Sequence, residues 1–125
     1  MNPVTTRLVL TVLYGVVTMY AHADHAGNPL RCGGIYDTSH EWVAVDIDHT
    51  DWRCGDLATI CAAGVCKTLP VRDSGPLSRY CGEDGDVCRP ILVDVPEHVA
   101  WFPGLSARAV VVNRSLAEQR LERER

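Results

Sequence analysis

The sequence has no surplus of positive charge: 12 Lys and Arg stand against 16 Asp and Glu, a formal net charge of −4 over 125 residues. A nucleic-acid binder needs a basic stripe, so that class is excluded. The same balance disfavours a dense polyanion as the main ligand and leaves a neutral glycan open. There is no internal repeat and no low-complexity tract. No Cys-x2-Cys occurs, and no His pair at i, i+3 or i+4 falls inside a cysteine cluster, so zinc spacing is missing. No metal and no cofactor is expected. A second long apolar run is also lacking, and the one present, Leu8 to Tyr20, spans thirteen uncharged residues.

As a helix that run would reach roughly 20 Å, short of the roughly 30 Å hydrocarbon core of a bilayer. With Arg7 before it and Ala21-His22-Ala23 after it, residues 1–23 read as a signal peptide cleaved after Ala23. The alternative is an uncleaved anchor, which would be the only tie to a membrane. Export implies a secreted or periplasmic protein. All six cysteines follow this segment: Cys32, Cys54, Cys61, Cys66, Cys81 and Cys88. An even count behind an export signal reads as three disulfides in an oxidising compartment. Six cysteines allow fifteen pairings. The preferred set is Cys61–Cys66 and Cys81–Cys88, each closing a short loop, which leaves Cys32–Cys54.

Residues 24–32 are polar and broken by Gly27 and Pro29, a flexible lead-in. From Gly33 onward, short apolar runs alternate with turn residues, the mark of closely spaced strands. Ile35-Tyr36, Glu41 to Ile47, Leu57 to Cys61, Cys66 to Val71, Ile91 to Val95 and Ala107 to Asn113 are the candidate strands. Pro96 suits the first turn of a short helix reaching Phe102. Residues 114–125 form a charged helical tail. The expected fold is mostly β: a small six-stranded barrel with one short helix, stapled by disulfides, and a monomer.

Three segments carry a family resemblance. Cys54-Gly55-Asp56-Leu57-Ala58-Thr59-Ile60 resembles a C-G-x-x-v-x-v strand entry, and Leu69-Pro70-Val71-Arg72-Asp73-Ser74-Gly75-Pro76 resembles v-x-v-x-D-x-G-P. Ile91-Leu92-Val93-Asp94-Val95-Pro96 through Phe102 resembles an i-D-L-S strand entering a short helix. In this order they are similar to the double-psi β-barrel of the rare-lipoprotein-A family, the expansin N-terminal domain and the family 45 endoglucanases. The match covers residues 33–113.

The resemblance implies that Asp73 matches the catalytic-site aspartate of the rare-lipoprotein-A lytic transglycosylases. It implies that Asp94 matches the H-F-D-L aspartate, the general acid of the endoglucanases. Tyr36-Asp37 resembles their Y-W-D. Two histidines of the pattern are replaced: Val43-Ala44-Val45-Asp46 stands where T-A-x-H is found, and Val93 precedes Asp94. His49 is the nearest histidine to the first gap, with Asp46 and Asp48 beside it. Independently of the resemblance, alternation places Asp94 on the face opposite Val93 and Val95. A carboxylate pair across a groove is what glycan cleavage requires, one acid and one base or charge stabiliser. Each aspartate also has a purely structural use, Asp94 as a helix cap and Asp73 in an Asx-turn.

Sugars stack on flat rings, so Tyr36, Trp42 and Trp52 join His49 as candidate substrate-binding residues, Trp52 because its loop is polar. Trp101, beside Val99 and Phe102, reads as core. The expected function is a secreted, cell-wall-directed domain that binds a β-linked glycan, peptidoglycan first, and cleaves it as a lytic transglycosylase. The alternatives are a non-enzymatic, expansin-like binding or loosening module, and a disulfide-rich interaction or effector protein using the barrel as scaffold.

Overall fold

A computed structural model describes residues 11–21, 24–75, 77, 79–80 and 88–114. Its strands are β1 (Thr11–Tyr20), β2 (Val43–Val45), β3 (Leu57–Ala62), β4 (Val65–Ser74), β5 (Arg79–Tyr80), β6 (Arg89–Pro96) and β7 (Ser106–Arg114). Six of them run in the order β1-β7-β3-β4-β2-β6, and β1 pairs again with β6, closing a barrel. The short β5 adds to the start of β6. Pairings β1–β6 and β2–β4 are parallel, and the remaining ones antiparallel.

Every stave contributes a fully buried side chain to one core. Val17, Val43, Val45, Ala58, Ile60, Val71, Val93, Val95 and Val111 are all 0% exposed. β-Branched residues are stiff and suit a pleated, closely packed surface. Each buried valine contributes about 1.5–3 kcal/mol relative to an exposed one. Trp52, Val99 and Phe102 join the same cluster. β3 alternates strictly, with Ala58, Ile60 and Ala62 inward. It turns into β4 through Ala63 and Gly64, both at positive φ (51° and 78°), the two-residue turn whose twist matches a hairpin. Cys61 and Cys66 face each other across it and are disulfide-bonded.

Thr11–Tyr20, which lies within the segment expected as a leader, forms β1, paired with β7 from Thr11↔Asn113 to Thr18↔Ser106. On its other edge it pairs with β6 from Val16↔Ile91 to Tyr20↔Pro96. Leu13, Val17 and Met19 pack in the core while Val12 and Tyr14 face outward. Gly15 is required where β1 meets β6: a Cβ there would lie 2.4 Å from the Pro90 carbonyl oxygen. Cleavage after Ala23 would therefore remove a stave. Among the described residues no helix is long and apolar enough to cross a membrane.

The lead-in is tied down. Pro29 bridges to Ile35, the Gly27 N–H reaches the Tyr36 carbonyl, Leu30 is buried, and Cys32 is bonded to Cys54. The strand expected at Ile35-Tyr36 is reduced to that bridge, and Glu41 to Ile47 to the three residues of β2. Ile47–His49 is a single 3-10 turn. The helix expected from Pro96 is only a turn, in which the Pro96 carbonyl accepts the N–H groups of Val99 and Ala100. Trp101 is half-buried, donating its indole N–H to the Ala62 carbonyl at 3.0 Å. Cys88 is disulfide-bonded as well. Its expected partner Cys81, with the loop 81–87 and the tail beyond Arg114, lies outside the described residues.

Candidate functional site

One rung of the barrel carries both aspartates. Ala44 of β2 pairs with Asp73 of β4 on one side and with Asp94 of β6 on the other. Two strand spacings separate the aspartate Cα atoms, roughly 10 Å. Ala44, buried at 6% exposure, is the residue between them on the rung. Asp94 faces away from the core because Val93 and Val95 fill it. Asp73 needs a different device, since Leu69 and Val71 of the same strand point inward. The register slips between Val43↔Val71 and Ala44↔Asp73, so one step along β2 matches two along β4. Arg72 is the extra residue, and it turns Asp73 onto the row of Ala44 and Asp94.

Asp94 pairs with Thr18 of β1, whose hydroxyl donates to Oδ1 at 2.9 Å. Burial pushes the Asp94 carboxyl above its usual range. The Thr18 hydroxyl and His25 act against that rise, and the Asp73 charge adds to it. Asp73 accepts the backbone N–H of Arg31 on Oδ1 at 3.0 Å. The two carboxyl groups thus sit in unequal settings: one part-buried under a hydroxyl, the other holding a loop.

Beside the rung lies a second, smaller hydrophobic cluster of Leu30, Tyr36 and Trp42 with Tyr20 packed against it. The Trp42 indole N–H donates to the Tyr20 hydroxyl at 2.8 Å. Burial drives the Tyr20 hydroxyl strongly upward in pKa, the Trp42 bond opposes this, and Asp73 and Asp94 add to it. Tyr20 stays neutral and able to donate. His25 stands edge-on to Tyr20, with ring centroids 5.1 Å apart.

The expected sugar platforms are not available as such. Trp42 is 0%, Tyr36 2% and Trp52 4% exposed. Trp52 belongs to the main core, and Tyr36 stands edge-to-face with both Tyr20 and Trp42. A buried ring has no face to offer a sugar. His49 is exposed on the 3-10 turn, its Nδ1 2.9 Å from Asp46, and is not brought to the rung. Asp48 takes both guanidinium nitrogens of Arg31 at 2.8 and 3.0 Å, which hold its carboxyl below the usual range. Arg31 therefore joins the 3-10 turn to Asp73. The structural uses foreseen for the aspartates also differ: Asp94 caps no helix, and Asp73 fixes a distant loop instead of its own turn.

Thr18, Tyr20 and His25 are the site residues that sequence reasoning missed. The readable signal was the alternation of Val17 and Met19 with Thr18 and Tyr20, a period of two that a leader helix does not require. Among the described residues, no three His, Cys, Asp or Glu side chains group to hold a metal ion. No protein-family model matches the chain, and no curated protein matches it.

Proposed function

We propose that this barrel is an extracytoplasmic domain that binds a β-linked cell-wall glycan, peptidoglycan first, across the rung of Asp73 and Asp94 and cleaves it as a lytic transglycosylase. The observation that carries this reading is the placement of two unequal carboxyl groups on one outward rung, with Thr18 bonded to one of them. A double-psi barrel is the favoured identity of the fold, supported by the two parallel pairings within a closed ring of six strands. Disulfides favour an oxidising compartment.

In the reaction, Asp94 is the proton donor, a role that burial supports by favouring the neutral carboxyl. It gives that proton to the leaving glycosidic oxygen as the C1–O bond breaks. Asp73, across the rung, stabilises the oxocarbenium character that develops at C1. The sugar's own C6 hydroxyl attacks C1, closing a 1,6-anhydro ring, and its proton returns to the Asp94 carboxylate. No water is consumed.

A second reading, a binding module without turnover, is favoured by the Arg31 N–H that occupies Asp73 and by the absence of both family histidines. Incubating the full chain with purified peptidoglycan and reading soluble products by mass spectrometry separates the two. Release of 1,6-anhydro sugars is expected. Sedimentation with the polymer without products would establish the binder, and the absence of both products and sedimentation would overturn the glycan reading.

A further inference from the structure

A second feature of the outer face lies on the same strand as Thr18. Tyr14, Gly15, Cys61, Arg89, Arg108, Ala109 and Val110 line an open depression of about 380 Å³. Tyr14 pairs with Val110, and Val110 with Cys61, so this row spans β1, β7 and β3. The Tyr14 ring is 72% exposed, in contrast to the buried Tyr36, Trp42 and Trp52. Arg108 lies two rungs along, opposite Val16, and Arg89 opens β6. Among the described residues neither arginine has an acidic partner. Thr18 is four residues from Tyr14 along β1, about 13 Å.

We propose that this depression is a subsite for a carboxylate-bearing sugar, making the ligand of the barrel a sparsely anionic glycan. This rests on the glycan reading above. An exposed ring takes the apolar C–H face of a sugar, and a guanidinium presents a fork of donors matched to a carboxylate. Both chemistries occur here within one depression, on the face of β1 that also bears Thr18. The net charge of −4 opposes a dense polyanion, whereas two arginines without acidic partners among the described residues suit a carboxylate recurring at intervals along the chain. Val110, Ala109 and Cys61 in the lining are apolar, which leaves the two guanidinium groups as its charged donors.

The test uses the full chain in titration calorimetry against two β-1,4-linked probes of equal length, a peptide-free GlcNAc–MurNAc hexasaccharide, which carries a carboxylate on alternate sugars, and neutral chitohexaose. Wild-type protein is expected to bind the carboxylated oligomer about tenfold or more tightly, the scale of one charge-assisted hydrogen bond. Arg89→Gln/Arg108→Gln should remove that preference and leave chitohexaose binding unchanged. Tyr14→Ala should weaken both. Equal affinities in the wild type, or a preference that survives the double substitution, would overturn the inference. If peptidoglycan and chitohexaose bind but the carboxylate preference is absent, only this inference falls; if neither oligomer nor peptidoglycan binds, the glycan reading falls with it.

Discussion

The Thr18 hydroxyl lies 2.9 Å from Oδ1 of Asp94, joining the first stave of the barrel to the sixth across 76 positions of sequence. The contact ties chemistry to fold, because Thr18 reaches Asp94 only if β1 is part of the barrel. Thr18→Val keeps the shape and removes the donor. Losing it costs about 0.5–1.5 kcal/mol of stability. The variant should also raise the Asp94 pKa further, since a hydrogen bond to the charged form is gone. Carbon-13 titration of the Asp94 carboxyl reads this directly, and an unchanged midpoint would contradict the contact.

Gly15 tests the closure of the barrel. A methyl group there would meet the Pro90 carbonyl at 2.4 Å and the Leu92 side chain at 2.9 Å, so the backbone must shift. Gly15→Ala should lower stability by about 1–3 kcal/mol, the usual cost of overpacking. Urea unfolding measures it. A neutral result would mean that β1 and β6 do not approach as described.

The elevated Asp94 pKa carries a pH signature of defined sign. A carboxyl group whose pKa is higher folded than unfolded binds more protons in the folded state, within the interval between the two values. Stability therefore falls as pH rises through that interval. Asp94→Asn does not ionise and escapes this loss, and its amide oxygen can still accept from Thr18. The variant should gain stability relative to wild type between pH 3.5 and pH 7, read as urea midpoints at both. The opposite trend would indicate a depressed pKa.

The two links that fix the loop before β2 should differ in strength. Arg31 and Asp48 are about half exposed, so solvent screens the pair and Arg31→Ala should cost little stability. Replacing Cys32 and Cys54 by serine opens a 22-residue span and should cost about 2–4 kcal/mol. Thermal unfolding ranks the two variants, and a larger loss from Arg31→Ala would reverse the account of this loop.

What could be read from sequence was local. The β3–β4 hairpin, its Cys61–Cys66 staple and the outward face of Asp94 follow from a period of two and a short turn, all within a few residues. β1 was illegible because Val16, Val17 and Thr18 satisfy a hydropathy criterion as well as a strand, and the edges that pair with them lie more than seventy residues away. The facing of Asp73 was hidden by Arg72, whose extra step reverses the alternation. Tyr36 and Trp42 looked available for sugars because nothing local announces a second apolar cluster outside the barrel, built with Leu30 and Tyr20.

The central claim is that Asp94 is the proton donor on an outward rung that holds a glycan. Its most direct test sets wild type and Asp94→Asn side by side on purified peptidoglycan, following release of 1,6-anhydro products and co-sedimentation with the polymer. Loss of general acid catalysis costs about 10²–10⁴-fold in rate, so product release should fall by that amount while co-sedimentation persists. Wild-type turnover by Asp94→Asn would contradict the assignment.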